Sequence, residues 1–277
     1  MFVRINHNIQ ALNAYRNLAA NQSSISKNLE RLSSGLRINR ASDDAAGLAI
    51  SEKMRSQIRG LQMAERNALD AISLIQTAEG ALNEVHSILQ RMRELAVQAA
   101  NGTNQVTDRE ALDSEFQQLI EEIDRIGQDT QFNKMNILAT DQNIDIQLGA
   151  NNGQKLTLSW KQQLKGSLGE DATDIRNLNI KTATDAQNAI TTLDNAIISV
   201  SKSRSKMGAY QNRLEHTINN LTTANENLTA AESRIRDTDM AMEMAEFTKN
   251  NILTQAAQAM LAQSNQLPQG ILQLLKS

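Results

Sequence analysis

Apolar residues recur along this chain at two periods, one helical and one alternating. Met54, Ile58, Leu61, Ala64, Ala68, Ile72, Ile75, Ala78, Leu82, Val85, Leu89, Met92, Ala96 and Ala99 form the longest series. Their steps of three and four average about 3.5, the coiled-coil period. The series predicts one helix from Asp43 to Ala100, with Ser42 or Asp43 as its cap. At a rise of ~1.5 Å per residue it would span roughly 85–90 Å, far more than a compact domain of this size needs. Upstream, Ile5, Ile9, Leu12, Tyr15, Ala19, Ile25, Leu29 and Leu32 predict an amphipathic helix over residues 4–34. Gly35 is placed to stop it in the left-handed conformation.

A shorter helix is expected over 108–127, with Leu112, Phe116, Leu119, Ile123 and Ile126 on one side. Glu121 and Arg125 stand four apart there and can pair. The period then changes to two. Ile144, Ile146 and Leu148, then Leu156, Leu158 and Trp160, alternate with polar residues around "ANNG", predicting a β-hairpin near 143–160. Residues 161–184 read as irregular, with room for one more short strand. The helical period returns from Ala186, through Ile190, Leu193, Ile197, Val200, Met207, Tyr210, Leu214, Ile218, Leu221, Leu228 and Ile235, and breaks at "RDTDM". The pattern is therefore mainly α: a long antiparallel coiled-coil helical rod with a small β-hairpin, plus two terminal amphipathic helices.

The final stretch, "MLAQSNQLPQGILQLLKS", is unusual for a chain end. Leu267, Ile271, Leu272, Leu274 and Leu275 make an apolar stripe around Pro268, the single proline. Burying all five would give about 7–15 kcal/mol. Ordering the backbone costs ~1–2 kcal/mol per residue over the same stretch. Alone, this tail should not fold; it needs partners on several sides. The two arms are expected to pair with each other and still leave an apolar surface, the mark of an association site. A free subunit would then have arms that order on assembly. Because Pro268 interrupts an otherwise periodic stripe, a continued but kinked helix is expected there.

Composition narrows the chemistry. Of 277 residues, 40% are apolar but only 3% aromatic, so the apolar content is mostly Ala, Leu, Ile and Met, which suits close helix packing. A net charge of −3 argues against nucleic-acid binding. Arg37, Arg40, Arg55 and Arg59 near one junction read as a solvated or subunit-facing group. There is no cysteine, hence no disulfide or thiolate metal site. No apolar run approaches the ~18 residues of a membrane span. The start, "MFVRINHNIQALN", lacks the apolar core of a cleavable signal peptide, so an exported chain would need another signal. His7, His86 and His216 fall in no HExxH pattern, and no P-loop or GxGxxG occurs. The adjacent acids Asp43–Asp44 and Glu121–Glu122 diverge by ~100° on a helix. No nucleophile–base pair stands out, and no cofactor or metal is implied. An enzyme reading has almost no support.

Four segments carry a resemblance: "LSSGLRINRASDDAAGLAISEKMR" (32–55), "LIQTAEGALNEVHSILQRMRELAVQAAN" (74–101), "QNRLEHTINNLTTANENLTAAESRIRDTDMAMEMAEFTKNNIL" (211–253) and "AMLAQSNQLPQGILQLLKS" (259–277). Together they closely resemble bacterial flagellin over both terminal thirds. The resemblance implies a structural subunit that polymerises with copies of itself into the bacterial flagellar filament. It implies export unfolded through the flagellar type III channel and assembly at the distal tip beneath a filament cap protein. A hook-junction protein would join the filament base, and a cytoplasmic export chaperone would cover the C-terminal arm. Localisation would be extracellular, with no nucleic-acid or membrane partner. Residues 1–42 and 236–277 would be the arms of an inner core layer, and 43–235 the rod. Only about 45 residues lie between Thr140 and Asp185, leaving no room for the outer domains of larger flagellins.

By the same mapping, Ile5, Ile9, Leu12, Leu267, Ile271, Leu272, Leu274 and Leu275 would serve polymerisation. The family's toll-like receptor 5 epitope maps onto Arg91, Leu95 and Gln98, with Glu115 on the neighbouring helix. Residues 91, 95 and 98 share a helix face turned away from the Leu89/Met92/Ala96 seam. The family often has Gly after "FN" in the turn before the hairpin, where this chain has Lys134. Two alternatives stand beside the filament subunit. A flagellin-like hook–filament junction protein shares both termini. A zinc-protease insert occurs in some flagellins, but this chain has neither the insert nor its HExxH.

Overall fold

A computed structural model describes the backbone of residues 8–274 and the side chains of residues 8–266. Its helices are α1 (Ile9–Ser34), α2 (Ala45–Ala100), α3 (Val106–Asp129), α4 (Ala183–Arg236) and α5 (Met240–Leu274). Between α3 and α4 lie six short strands: β1 (Gln131–Phe132), β2 (Met135–Asn136), β3 (Gln142–Gln147), β4 (Lys155–Trp160), β5 (Gln163–Leu164) and β6 (Ser167–Leu168). They pair in three antiparallel hairpins, β1 with β2, β3 with β4 and β5 with β6. The predominantly helical fold with one principal hairpin is the one the residue pattern predicts. The chain divides into two compact units. One is Gln57–Glu226; the other comprises the described residues up to Ser56 and from Asn227.

In the unit Gln57–Glu226, parts of α2 and α4 lie antiparallel. Arg93 Nε donates to Asp194 Oδ1 at 2.6 Å, and Gln211 Nε2 donates to Glu79 Oε2 at 3.2 Å. The seam of α2 from Ala64 to Ala99 is buried as its spacing predicts, except for the half-buried Ile72, and so are Ala71, Leu74 and Leu95 off that seam. The reason is a second neighbour. α3 folds back along α2, with Arg109 Nε donating to Ala99 O at 2.9 Å, and contributes Phe116, Ile120 and Ile123 to the core. A helix flanked on two sides must bury two stripes. α4 meets the core through small residues, Ala186, Ala189, Ala196, Ser199 and Ser203, between Leu193, Val200 and Met207. Small side chains allow the helices to approach closely.

The hairpins pack on this bundle and carry its largest side chain. Trp160 is buried and its Nε1 donates to Ile137 O at 2.7 Å. The β3–β4 register pairs Ile144 with Leu158 and Ile146 with Leu156, so the alternating apolar residues share one face. Ser199 Oγ donates to Leu168 O at 2.9 Å and accepts from Asp171 N, tying β6 and its following turn to α4. The buried Asp113 of α3 accepts from Ile180 N at 2.9 Å and fixes the segment before α4.

Two local expectations are corrected. Asp44, not Ser42 or Asp43, caps α2, its Oδ1 accepting from Gly47 N at 2.8 Å. Asp43 turns back to accept from Asn39 N and Arg40 N. Arg125 pairs with Glu122 at 2.5 Å and Asp129 at 3.3 Å, not with Glu121, because a fork-shaped guanidinium reaches two acids on its own flank.

Candidate assembly surface

The second unit is built on α1 and α5, which run antiparallel. Asn8 caps α1 by accepting from Ala11 N at 3.1 Å, and its Nδ2 donates to Ser264 O at 2.9 Å. At the other end of α1, Arg31 lies 3.7 Å from Glu243. Gly35 ends α1 at φ +72°, its N–H donating to Arg31 O. Glycine takes that left-handed conformation without a Cβ clash.

The less exposed positions of both helices follow a heptad. On α1 they are Ala11, Ala14, Leu18, Asn21, Ile25, Asn28 and Leu32; on α5, Glu243, Phe247, Asn250, Thr254, Ala257, Leu261 and Ser264. This seam is unusually polar. Asn28, 5% exposed, accepts from Phe247 N at 3.1 Å and donates to Glu243 Oε1 at 3.2 Å in the amide orientation that satisfies its neighbours. Glu243 is also buried, and Thr238 Oγ1 donates to it at 3.5 Å. Asn250, Thr254 and Ser264 are buried beside them.

Leu18, Ile25, Leu32, Phe247 and Leu261 complete the seam, but most of the large apolar residues lie outside it. Ile9, Leu12, Tyr15 and Leu29 of α1 are exposed, as are Met240, Met242, Met244, Ile252, Leu253 and Met260 of α5. The apolar stripe expected on α1 is therefore largely the outer face of the helix pair; only Ile25 and Leu32 of it turn inward. Each such side chain would give ~1.5–3 kcal/mol on full burial. A water-facing helix pair normally has the reverse arrangement. This one mixes polar groups such as Asn28, Glu243 and Asn250 into its seam and leaves many large apolar groups outward.

Sequence reasoning placed Ile9 and Leu12 in the surface, and the structure exposes both. Ile5 and Leu275 lie outside the described residues, as do the side chains of Leu267, Ile271, Leu272 and Leu274. α5 runs helically through Pro268 to Leu274. The polar seam went unnoticed. The signal was a second heptad, Ala11 to Leu32, lying beside the more hydrophobic stripe.

The junction after α1 is held by charges. Arg37 N donates to Arg236 O at 2.7 Å and Thr238 N to Gly35 O at 3.0 Å. Arg236 donates to Glu52 at 2.6 Å and holds its carboxyl below the ordinary value. The Arg40 backbone N–H does the same for Asp43. Arg55 lies 3.7 Å from Glu232, and Arg40 pairs with Glu30 at 2.8 Å. Of the basic stretch, Arg40 and Arg55 thus meet acids, while the Arg37 guanidinium donates to Ile235 O at 2.6 Å.

In the unit Gln57–Glu226, Arg91 donates to Glu115 Oε1 through Nε at 3.0 Å and Nη2 at 2.9 Å, bringing α2 and α3 together. Glu115 and Glu94 raise the Arg91 pKa further. Gln98 is exposed. Leu95 is 1% exposed, so it does not share the exposed face expected for it: α3 covers that side of α2. Among the described residues no acid or histidine group could hold a metal ion. Among them no helix is long and apolar enough to cross a membrane.

Residues 5–143 match the bacterial flagellin N-terminal helical region, and residues 190–275 match the C-terminal helical region. A flagellin of Halalkalibacterium halodurans is 60% identical over 98% of this chain and 99% of its own length. A flagellin of Bacillus subtilis is 53% identical over 99% of this chain and 100% of its own. The crystal structure of Bacillus cereus flagellin is 39% identical and superposes with a TM-score of 0.48, covering 60% of this chain and 94% of that one.

Proposed function

This chain belongs to the bacterial flagellin family and is a structural subunit of the flagellar filament; from that premise we propose that the outward apolar faces of α1 and α5 are its polymerisation surfaces. One observation carries the reading. The helix pair keeps Asn28, Glu243 and Asn250 in its seam while Leu12, Ile252 and Met260 face water. In a free subunit that costs exposure of apolar area; between copies the same residues form a continuous dry contact.

On this reading residues 1–42 and 236–277 form the inner layer of the filament, and residues 43–235 the layer outside it. The weak polar seam lets the arms remain loose during export and order on assembly, when neighbours supply the missing burial. The apolar C-terminal arm is the segment an export chaperone would shield, and a cap protein would hold the arriving subunit at the tip. The protein would work outside the cell, without catalysis. Toll-like receptor 5 would meet the face of Arg91, Gln98 and Glu115, with Leu95 holding α3 beneath them.

Deletion of residues 260–277 tests the proposal. The truncated chain should retain the cooperative melting of the unit Gln57–Glu226 and fail to elongate filament seeds. Elongation at the full-length rate would remove the arms from the account.

A further inference from the structure

The exposed apolar residues of α5 have an unusual chemical bias. Met240, Met242, Met244 and Met260 stand with Ile252 and Leu253. Met242 is 71% and Met260 66% exposed, whereas Met92 and Met207 are fully buried in the unit Gln57–Glu226. The chain has no cysteine, and Trp160, its single tryptophan, is buried. Accessible sulfur among the described residues is thus thioether sulfur; four such groups lie on α5, flanking its seam, while Met63 and Met135 are exposed in the unit Gln57–Glu226.

We propose that the α5 methionines are a site of reversible oxidation by peroxide, and that their sulfoxides block filament growth while the reduced thioethers permit it. In the reaction a thioether lone pair attacks one peroxide oxygen and the O–O bond breaks. The sulfur gains that oxygen and is oxidised by two electrons. The other oxygen leaves as water after proton transfer, so one thioether and one hydrogen peroxide give one sulfoxide and one water. The product is polar and chiral where an apolar contact is needed. Leucine or isoleucine would fill the same contact without this liability, so four thioethers among six large apolar residues make the surface selectively sensitive. The sensitivity belongs to the free subunit. Once copies cover α5, the thioethers are removed from solvent and the filament is protected.

The inference rests on the assembly reading, and the experiment separates the two. Full-length subunit is treated with hydrogen peroxide, mapped by peptide mass spectrometry, freed of oxidant and added to filament seeds. Met242 and Met260 should oxidise several-fold faster than Met92 and Met207, and elongation should fall about tenfold. Methionine sulfoxide reductases A and B with dithiothreitol should restore it. A Met240→Leu, Met242→Leu, Met244→Leu, Met260→Leu variant should elongate equally before and after peroxide. Undiminished elongation of the oxidised wild type would overturn the proposal. So would loss that the reductases do not reverse, or equal loss in the leucine variant. Failure of the untreated wild type to elongate would instead overturn the assembly reading itself. Preassembled filaments given the same peroxide should stay largely unmodified on α5, and rapid modification there would contradict burial between copies.

Discussion

Asn8 and Ser264 stand 256 positions apart and are joined by a 2.9 Å hydrogen bond from Asn8 Nδ2 to Ser264 O. The bond pins the start of α1 to a late turn of α5 and sets the antiparallel register. It is also typical of the seam it belongs to, in which polar pairs define alignment and contribute little net burial. A buried polar position can specify register at a cost in stability, which suits arms that must later meet other copies.

The seam makes a first prediction. Replacing Asn28 with alanine leaves the Glu243 carboxylate short of a donor and should weaken the helix pair by about 1–3 kcal/mol. Amide hydrogen exchange in α1 should accelerate, while the amides of α3 stay unchanged. Replacing Asn28 and Glu243 together with leucine should restore or exceed the original protection.

Phe116 lies in the core shared by α2, α3 and α4. Phe116→Ala should destabilise that unit by about 3–5 kcal/mol. Thermal melting followed by Trp160 fluorescence should show a matching drop in Tm. Hydrogen exchange along the α1–α5 seam should be unaffected.

The β1–β2 turn holds Asn133 at φ +50° and Lys134 at φ +65°. Two successive left-handed residues are the type I′ requirement, for which Asn-Gly is the favoured pair. Lysine there carries a Cβ strain that glycine lacks. Lys134→Gly should raise stability by about 0.5–1 kcal/mol in denaturant unfolding, less than the full strain because glycine also loosens the unfolded chain.

Acid should loosen the junction between α1 and α2. The Arg236 guanidinium donates to Glu52 and holds its folded pKa below the ordinary 4.5. The unfolded state therefore binds more protons in this range, and stability rises with pH. The contribution is complete above about 4.5 and is lost as pH falls through the lower folded value. Protection factors of residues 45–56, with each rate referred to the intrinsic rate at the same pH, should fall from pH 5.5 downward in the wild type and show a shallower pH dependence in Glu52→Gln.

Much of the fold was legible in the residues. The Met54–Ala99 series, the Ile144–Leu158 alternation and the break at "RDTDM" each became an element with nearly the expected bounds, because period and turn chemistry are local properties. What was missed depended on neighbours. Leu95 lies off the principal seam by spacing, yet α3 buries it. Asp43 and Asp44 are equivalent as candidate caps until the connector folds. The outer placement of Leu12 and the inner placement of Asn28 invert the usual hydrophobic ordering. The apolar content of the arms implied an association surface, but which positions line the seam and which face outward depends on how the two helices pair, which one helix's amphipathicity does not specify.

The most direct measurement is seeded filament growth of full-length Leu12→Ser, Ile252→Ser protein, followed by sedimentation and electron microscopy. Losing two apolar contacts of ~1.5–3 kcal/mol each should raise the concentration needed for growth by at least about a hundredfold. Melting of the unit Gln57–Glu226 should remain unchanged. Growth of normal filaments from this variant at the wild-type concentration would contradict the assignment of these faces to subunit contacts.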